Sequence, residues 1–159
     1  MQIEIICVGK LKEKYLKDAC DEYKKRLSRF ATLTVTELKD EAIGEQASEA
    51  QTKKAINQEG QRILDRISDR DYVVSLCIEG KGLSSEDFAR KLSDICQKGA
   101  GRLVFVIGGS CGLSDAVKKR SQLKLSFSAM TFPHQLMRVI LLEQLYRAFK
   151  INAKESYHK

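Results

Sequence analysis

The stretch "RLVFVIGGSCGLS", residues 102–114, joins the most apolar run of the chain to a glycine-rich turn. Its five apolar residues, 103–107, favour a strand that is buried on both faces. Two glycines follow directly, and glycine allows a backbone to turn sharply or to approach a ligand closely. The stretch therefore predicts a buried strand with a candidate binding site at its carboxyl end.

Strands and helices alternate along the rest of the chain. Short β-branched runs predict strands, and apolar residues at helical spacing predict helices. We expect strands at residues 3–9, 31–38, 71–80, 102–109 and 123–128, and helices at residues 11–29, 52–67, 85–98, 113–120 and 133–152. This alternation predicts an α/β fold with a mostly parallel sheet flanked by helices. Residues 1–159 show no linker or internal repeat, which indicates a single domain.

Composition narrows the class of protein. The chain has 159 residues, of which 43% are hydrophobic and 31% charged, a balance that suits one globular domain. It holds no apolar run near the roughly 18 residues of a membrane span, and its start lacks a signal-peptide cleavage pattern. The five cysteines are odd in number and form no C-x-x-C pair. We therefore expect a cytoplasmic protein with no membrane partner, no disulfide framework and no metal.

The charge balance is strongly basic. The net charge is +7, and lysines and arginines cluster within residues 10–29 and again within residues 118–124. Such patches suit a polyanionic partner, above all nucleic acid. An ordinary solvated helix face would carry similar charges, so the pattern alone leaves both interpretations open.

The final predicted helix is apolar on more than one stripe. Leu136, Ile140 and Leu145 are among these residues, and they do not share one face. Such a helix buries one face on the sheet and a second face elsewhere. A homodimer partner is the simplest cover for the second face. The alternative is a helix buried entirely within its own domain.

Three predicted strands end in segments rich in glycine or serine. These segments are "CIEGKGLSS" (77–85), "VIGGSCGLS" (106–114) and "SFSAMTFPH" (126–134). Ligands of open α/β sheets bind beyond the carboxyl ends of the strands, so the three segments together predict a nucleotide-like pocket. The glycine pattern is G-G-x-x-G rather than G-x-G-x-x-G, and the P-loop pattern is absent from the sequence. The pattern therefore disfavours a dinucleotide site and excludes a P-loop.

Several segments carry a family resemblance. "FVIGGSCGL", "LSFSAMTFPHQLMRVILLEQLYRAFKI", the terminal "YHK", "IICVGKLKEKY" and "EGQRIL" closely resemble the RlmH (YbeA) family of SPOUT-superfamily methyltransferases. The resemblance implies S-adenosylmethionine (SAM) as methyl donor, a homodimer, and a deep trefoil knot within about residues 71–159. It also implies a ribosomal substrate, the N3 atom of a pseudouridine in helix 69 of 23S rRNA, methylated in assembled ribosomes.

The resemblance assigns cofactor contacts to particular positions. It places Leu76 and Gly108 at two strand ends in contact with SAM. It places a third group in the loop that wraps the adenine, namely Phe127, Ser128, Ala129, Met130, Thr131 and Phe132. Pro133 suits the first helical position after this loop, because its ring presets φ and its missing N–H would be unpaired there.

Catalytic candidates come from the end of the chain. By resemblance, Tyr157 and His158 lie near the active site, and Arg147 contacts RNA or orients the target. We expect this terminal pair to act in RNA placement or proton handling rather than in folding. Glu143 is four residues before Arg147 and is expected to hold it. His134 lies near the expected pocket, with a structural role as its alternative.

Two other functions compete with methyl transfer. A non-catalytic basic module would bind RNA or ribosomes without SAM. An oxidoreductase with a nicotinamide cofactor would need the dinucleotide pattern that the sequence lacks. A test of SAM binding separates methyl transfer from these two alternatives, because neither alternative predicts SAM binding.

Overall fold

The computed structural model describes residues 1–99 and 101–157 and contains ten regular elements. The strands are β1 (Gln2–Val8), β2 (Thr32–Leu38), β3 (Tyr72–Gly82), β4 (Leu103–Ile107) and β5 (Leu123–Ser126). The helices are α1 (Lys14–Leu27), α2 (Glu49–Leu64), α3 (Ser85–Gln97), α4 (Asp115–Arg120) and α5 (His134–Asn152). The alternation of strands and helices expected from the sequence is confirmed.

The strands form one sheet in the order β2-β1-β4-β3-β5, and every pairing is parallel. The apolar stretch that follows Arg102 becomes β4, which pairs with β1 on one side and β3 on the other. All five residues of β4 are buried. The expectation of an α/β fold with a mostly parallel sheet flanked by helices is therefore confirmed.

Each face of the sheet carries its own core. On one face, α1, α3 and α5 pack over side chains such as Ile3, Ile5 and Phe105. On the other face, α2 and α4 pack over the alternate residues, which include Ile6 and Val106. Burial of each such side chain stabilises the fold by roughly 1.5–3 kcal/mol, so the sheet is a rigid support for the loops at its edges.

Some element ends differ from the sequence expectation. β3 continues to Gly82 rather than ending at residue 80, and β4 ends at Ile107 because the two glycines after it form a turn. Pro133 was placed by sequence at the first helical position, whereas α5 begins at His134 and Pro133 is the residue before the helix. The proline ring fixes φ at −54° but leaves ψ free, and ψ is an extended 131° here. The carbonyl of Pro133 still accepts the N–H of Met137 (3.1 Å).

A polar network closes the amino edge of the sheet. Arg102 donates to Asp71 Oδ2 (2.6 Å) and to the carbonyl of Arg66 (2.9 Å), and it pairs with Glu4. Asp71 and Glu4 are buried. Burial acts to raise the pKa of Asp71, but hydrogen bonds from Arg102 and from the Ser68 N–H outweigh burial and hold that pKa below its usual value. The network lies at the edge opposite the carboxyl ends of the strands, where open α/β sheets generally bind ligands, so we assign it a structural role.

Within the part of the chain that the structure describes, no helix is both long enough and apolar enough to cross a membrane.

Candidate functional site

A cavity of about 790 Å³ lies at the carboxyl edge of the sheet, where β3, β4 and β5 end. Its wall is built from residues 76–79, 107–113, 125–128 and 130–134, together with Lys118 and Met137. These segments are far apart in sequence and meet because parallel strands place their carboxyl ends at one edge. All three strand-end segments that the sequence singled out contribute to this wall.

The glycine-rich segment after β4 is a tight turn. Gly109 and Gly112 face each other across the turn, and the Gly112 N–H donates to the Gly109 carbonyl (3.1 Å). Gly112 has φ +85°, a value that side-chain-bearing residues rarely adopt. A Cβ on Gly108 would lie 2.6 Å from the carbonyl oxygen of Gly112. Gly108 is therefore needed for the turn to fold back over the end of β4.

The second wall is an irregular stretch of β3. The pairing of β3 with β5 jumps from Leu76 to Lys81, both opposite Leu125, so residues 77–80 bulge out of the sheet. The bulge brings Ile78 and Glu79 to the cavity, and Ile78 is exposed. Glu79 forms an ion pair with Lys118 of α4.

This ion pair sets the charge at the cavity wall. The hydrogen bond from Lys118 lowers the pKa of Glu79, and the same bond raises the pKa of Lys118. Both side chains therefore stay ionised near neutral pH. The carboxylate of Glu79 can accept a charge-assisted hydrogen bond from a ligand, and the ammonium group of Lys118 can donate one.

The third wall is the loop between β5 and α5. Ser126 Oγ donates to the Ser128 carbonyl (3.0 Å), and the Met130 N–H donates to Ser128 Oγ (2.9 Å). These two bonds fold the loop locally. The Met130 side chain is 73% exposed although it belongs to the cavity wall, and Phe132 is also exposed. Large apolar side chains in this position are available to a ligand or a partner.

The structure brings together seven of the eight residues that the sequence assigned to the cofactor: Leu76, Gly108, Phe127, Ser128, Met130, Thr131 and Phe132. Ala129, the eighth, belongs to the same loop but does not line the cavity. The sequence missed Glu79, Lys118 and Met137.

Those three omissions have different causes. Glu79 lies inside a strand-end segment that the sequence did single out, but no role was assigned to this residue within the segment. Lys118 and Met137 lie within α4 and α5 and line the cavity from there. Residue spacing along the chain does not indicate which helical side chains border the cavity.

His134 lies at the start of α5 and lines the cavity. Its Nε2 is 3.6 Å from the point where a Cβ on Gly9 would lie. Burial lowers the pKa of His134, and the positive charge of Arg138 lowers it further. The imidazole is therefore neutral at pH 7 and has a nitrogen available to accept a proton.

Arg147 and Tyr157 form a second cluster, farther along α5. Arg147 Nη2 donates to Glu143 Oε1 (2.5 Å), as the spacing of four residues predicts. The Tyr157 hydroxyl donates to the same oxygen (3.2 Å), and the Arg147 guanidinium lies 4.8 Å from the Tyr157 ring centre. The Tyr157 ring also packs edge-on against Tyr146, with centres 4.9 Å apart.

These contacts give Tyr157 a role in the fold. Burial first, and hydrogen bonding with Tyr23 second, raise the pKa of Tyr157 to about 12, so its hydroxyl is a hydrogen-bond donor at neutral pH. The sequence expectation that the terminal pair takes no part in folding therefore differs from the structure at Tyr157. His158, its predicted companion, lies outside the described residues.

Within one chain the two clusters are well separated. Met137 lines the cavity, and Arg147 follows ten residues later on the same helix, α5. At about 1.5 Å per residue, the two positions are about 15 Å apart along the helix axis. The structure therefore does not bring Arg147 or Tyr157 to the cavity of their own chain. Among the described residues, no three His, Cys, Asp or Glu side chains gather as a metal site.

Comparison with known proteins gives agreeing results. The model of a family described as predicted SPOUT methyltransferase matches residues 1–158. The chain is 55% identical to ribosomal RNA large subunit methyltransferase H of Lactobacillus acidophilus over 159 residues, all of both chains. Proteins of the same name from Bifidobacterium animalis subsp. lactis and Streptococcus pneumoniae are 56% and 53% identical, again over their full lengths.

A solved structure shares the fold. A protein from Legionella pneumophila, solved in complex with the bound cofactor SAM, matches with a TM-score of 0.50 and 10% identity. The match covers 94% of this chain and 66% of that one, so the chain spans about two thirds of the Legionella protein. The parallel sheet, the cavity at its carboxyl edge and a family match over nearly every residue agree, and the chain belongs to the SPOUT methyltransferase family.

Proposed function

We propose that this chain transfers a methyl group from SAM to the RNA of the large ribosomal subunit. The observation that carries the proposal is the cavity, which collects seven of the eight residues assigned to the cofactor from the sequence alone. The substrate class comes from the relatives that are 55% and 56% identical to this chain, because both are named as methyltransferases of that RNA.

The cavity fits a molecule of the size and chemistry of SAM. A volume of about 790 Å³ is within the usual range for cofactor pockets. Leu76, Ile107 and Leu125 supply an apolar floor for an adenine ring, while the turn after Gly108 keeps backbone close to the ligand. We place the adenine between this floor and the loop of residues 127–132, and the ion pair of Glu79 and Lys118 beside the polar parts of the cofactor.

The finer substrate is proposed to be the N3 atom of a pseudouridine in helix 69 of 23S rRNA, in assembled ribosomes of the cytoplasm. SAM supplies an activated methyl group on a sulfonium, so the protein mainly aligns donor and acceptor. The imide N–H must lose its proton before or during transfer, which calls for a nearby acceptor. His134 is neutral and lines the cavity, and His158 at the chain end is the second candidate.

We further propose a homodimer in which each active site uses residues of both subunits. Leu136 and Ile140 of α5 are half-buried and lie outside both described core clusters, so this face of the helix suits a second copy. Arg147 is about 15 Å along the helix from Met137 of its own chain's cavity, and Tyr157 packs beside Arg147 rather than in that cavity. Two α5 helices packed in opposite directions would place the partner subunit's Arg147 and the partner subunit's Tyr157 near that cavity. The trefoil knot within residues 71–159 also belongs to this proposal.

Two measurements test the proposal. Calorimetric titration with SAM should give one site per chain, whereas a non-catalytic RNA-binding module would give no heat. Ribosomes from cells that lack the endogenous methylation, incubated with the protein and SAM, should then gain one methyl group on a helix 69 pseudouridine by mass spectrometry of nuclease fragments. SAM binding with methylation at a different nucleotide would keep the enzyme class and overturn the assigned target.

A further inference from the structure

A second cavity, of about 540 Å³, lies on the other side of the first turns of α5. We name it the α1–α5 cleft, and it is bounded by α1, by the ends of β1 and β2, and by α5. Ile5, Val35 and Leu142 form its apolar part. Arg138 lines this cleft, while its neighbour Met137 lines the proposed cofactor cavity. The two cavities are therefore adjacent, because both border the same turn of α5.

Arg138 is the central polar group of the α1–α5 cleft. It is only 2% exposed, and its guanidinium donates to Glu37 Oε1 (2.5 Å) and to the Gly9 carbonyl. Its Nε–H has no hydrogen-bond partner among the residues that the structure describes. Leaving a buried donor of this kind without an acceptor costs free energy, and a ligand acceptor at Nε would remove that cost. The orphaned donor indicates that the cleft is built for an acceptor that the chain itself does not provide.

The charges around the α1–α5 cleft define that acceptor. Four cations line it, namely Lys10, Lys17, Lys24 and Arg138, against two carboxylates, Asp21 and Glu37. Each carboxylate already has a cation, because Lys24 pairs with Asp21 (3.1 Å) and Arg138 pairs with Glu37.

Two lysines remain at the rim. Lys10 and Lys17 are exposed and form no ion pair with any described residue. Glu37 is partly buried, which opposes ionisation, yet hydrogen bonds from Arg138 and from the Leu11 N–H keep its pKa below the usual value. The surplus of two positive charges is therefore present near neutral pH, and it favours an anion over a cation or a neutral ligand.

We propose that the α1–α5 cleft is a phosphate-binding site that takes a backbone phosphodiester of the RNA substrate. In this arrangement Arg138 Nε–H donates to a phosphate oxygen, and Lys10 and Lys17 neutralise its charge. Because Arg138 follows His134 by one turn of α5, the phosphate would be fixed next to the cavity of the methyl donor. This inference rests on the proposed function and adds to it where the RNA backbone is held.

The first test uses charge-neutral variants and a matched control. Lys10→Gln combined with Lys17→Gln removes the two rim charges. Lys53→Gln combined with Lys54→Gln removes two exposed lysines from α2, which packs on the opposite face of the sheet. Affinity for large ribosomal subunits should fall at least tenfold for the cleft variant and less than twofold for the control. The slope of log affinity against log salt should become shallower by about 0.7–0.9, because the cleft variant neutralises one phosphate fewer.

The same preparations separate failure of the cleft from failure of the proposed function. SAM affinity should be equal in the wild type and both variants. A cleft variant that binds ribosomes as tightly as the control would overturn the phosphate site and leave the methyltransferase proposal intact. A wild type that binds no SAM would overturn the methyltransferase proposal, whatever the cleft variants do.

A second test identifies the source of the phosphate. The Arg138 Nε–H resonance, observed by NMR in the full chain, should shift when an RNA hairpin of the helix 69 sequence is added. Inorganic phosphate should cause the same shift only at far higher concentration. A shift with inorganic phosphate but none with the hairpin would overturn the assignment to RNA, and no shift with either probe would overturn the site itself.

Discussion

Gly108 shows how a single hydrogen in place of a side chain shapes the cofactor cavity. A Cβ there would lie 2.6 Å from the Gly112 carbonyl oxygen and 2.7 Å from its carbon, closer than real Cβ contacts. The turn after β4 would have to move, and this turn is part of the cavity wall. The glycine therefore acts through the path of the backbone rather than through a direct contact.

Gly108→Ala should weaken SAM binding at least about tenfold, or about 1.4 kcal/mol, while the circular dichroism spectrum keeps its helical signal. Gly82→Ala is the matched control, because a Cβ on Gly82 meets nothing within 4 Å. The measurement is calorimetric titration of both variants. SAM affinity equal in the two variants would show that the cofactor lies elsewhere.

Arg102 stabilises the fold at the edge away from the site. Arg102→Met leaves the buried carboxylates of Asp71 and Glu4 without their cation, which should cost roughly 3 kcal/mol of unfolding free energy at pH 7. The folded-state pKa of Asp71 is lowered, so its stabilising contribution is complete above the usual Asp pKa and is lost as the pH falls through the lowered value. The difference in unfolding free energy between the wild type and the variant should therefore shrink below about pH 4.

Urea denaturation of the wild type and of Arg102→Met between pH 7 and pH 3 measures how much unfolding free energy the variant has lost at each pH. Arg70→Met serves as the control, since Arg70 is an exposed neighbour outside this network. A deficit that does not change between pH 7 and pH 3 would mean that the charges of Asp71 and Glu4 are not what Arg102 stabilises.

At the scale of elements, α2 contains a glycine that helix propensity alone does not explain. A Cβ on Gly60 would lie 2.2 Å from Ser114 Oγ and 2.8 Å from Ser114 Cβ. Ser114 precedes α4, and its hydroxyl accepts the Val117 N–H (3.3 Å). Gly60 therefore lets α2 approach the start of α4, the helix that carries Lys118 of the cavity wall.

Gly60→Ala should lower the melting temperature, although alanine in an open helix position would gain about 1 kcal/mol over glycine. The contact with Ser114 outweighs that gain, because overpacking typically costs 1–3 kcal/mol. Combining Gly60→Ala with Ser114→Ala should not recover full stability, since the cap of α4 is then removed as well. A Gly60→Ala protein more stable than the wild type, by differential scanning calorimetry, would contradict this account.

The elements also show where sequence reasoning succeeds and fails. Periodicity and strand-end glycines located all ten elements and most of the cavity wall, because both signals are local along the chain. The bulge of residues 77–80 was not foreseen, since it arises where β3 must match β5 on one side. The start of α5 was placed one residue early, because a proline fixes φ but not ψ.

At the scale of the whole molecule, the parallel sheet gathers the cofactor residues but leaves the catalytic candidates apart. Sequence resemblance grouped Arg147 and Tyr157 with the active site. In one chain, however, they contact Glu143 and Tyr146, which lie about 9 and 14 Å along α5 from Met137 of the cavity wall. A single sequence does not show which subunit a contact belongs to. The trefoil knot likewise stays a prediction, because strand order and periodicity do not encode threading.

A subunit-mixing experiment tests whether one active site uses two chains. Removal of residues 156–159 should keep SAM affinity but lower ribosome methylation at least about tenfold, because Tyr157 and His158 are removed. Gly108→Ala should lose methylation through its cavity while its tail stays intact. When both chains are expressed together and assort at random, half of the dimers are mixed. One of the two sites in each mixed dimer then joins a normal cavity to a normal tail.

Activity of the mixture should therefore rise to about a quarter of the wild-type rate, from two parents that are each nearly inactive. Mixing each parent with itself is the control, and affinity tags on the two chains allow the mixed dimers to be isolated and assayed directly. The physical reason for rescue is the length of α5, which carries Arg147, and Tyr157 packed beside it, away from the cavity of their own chain. Mixed dimers with no more activity than their parents would mean that each tail serves its own subunit.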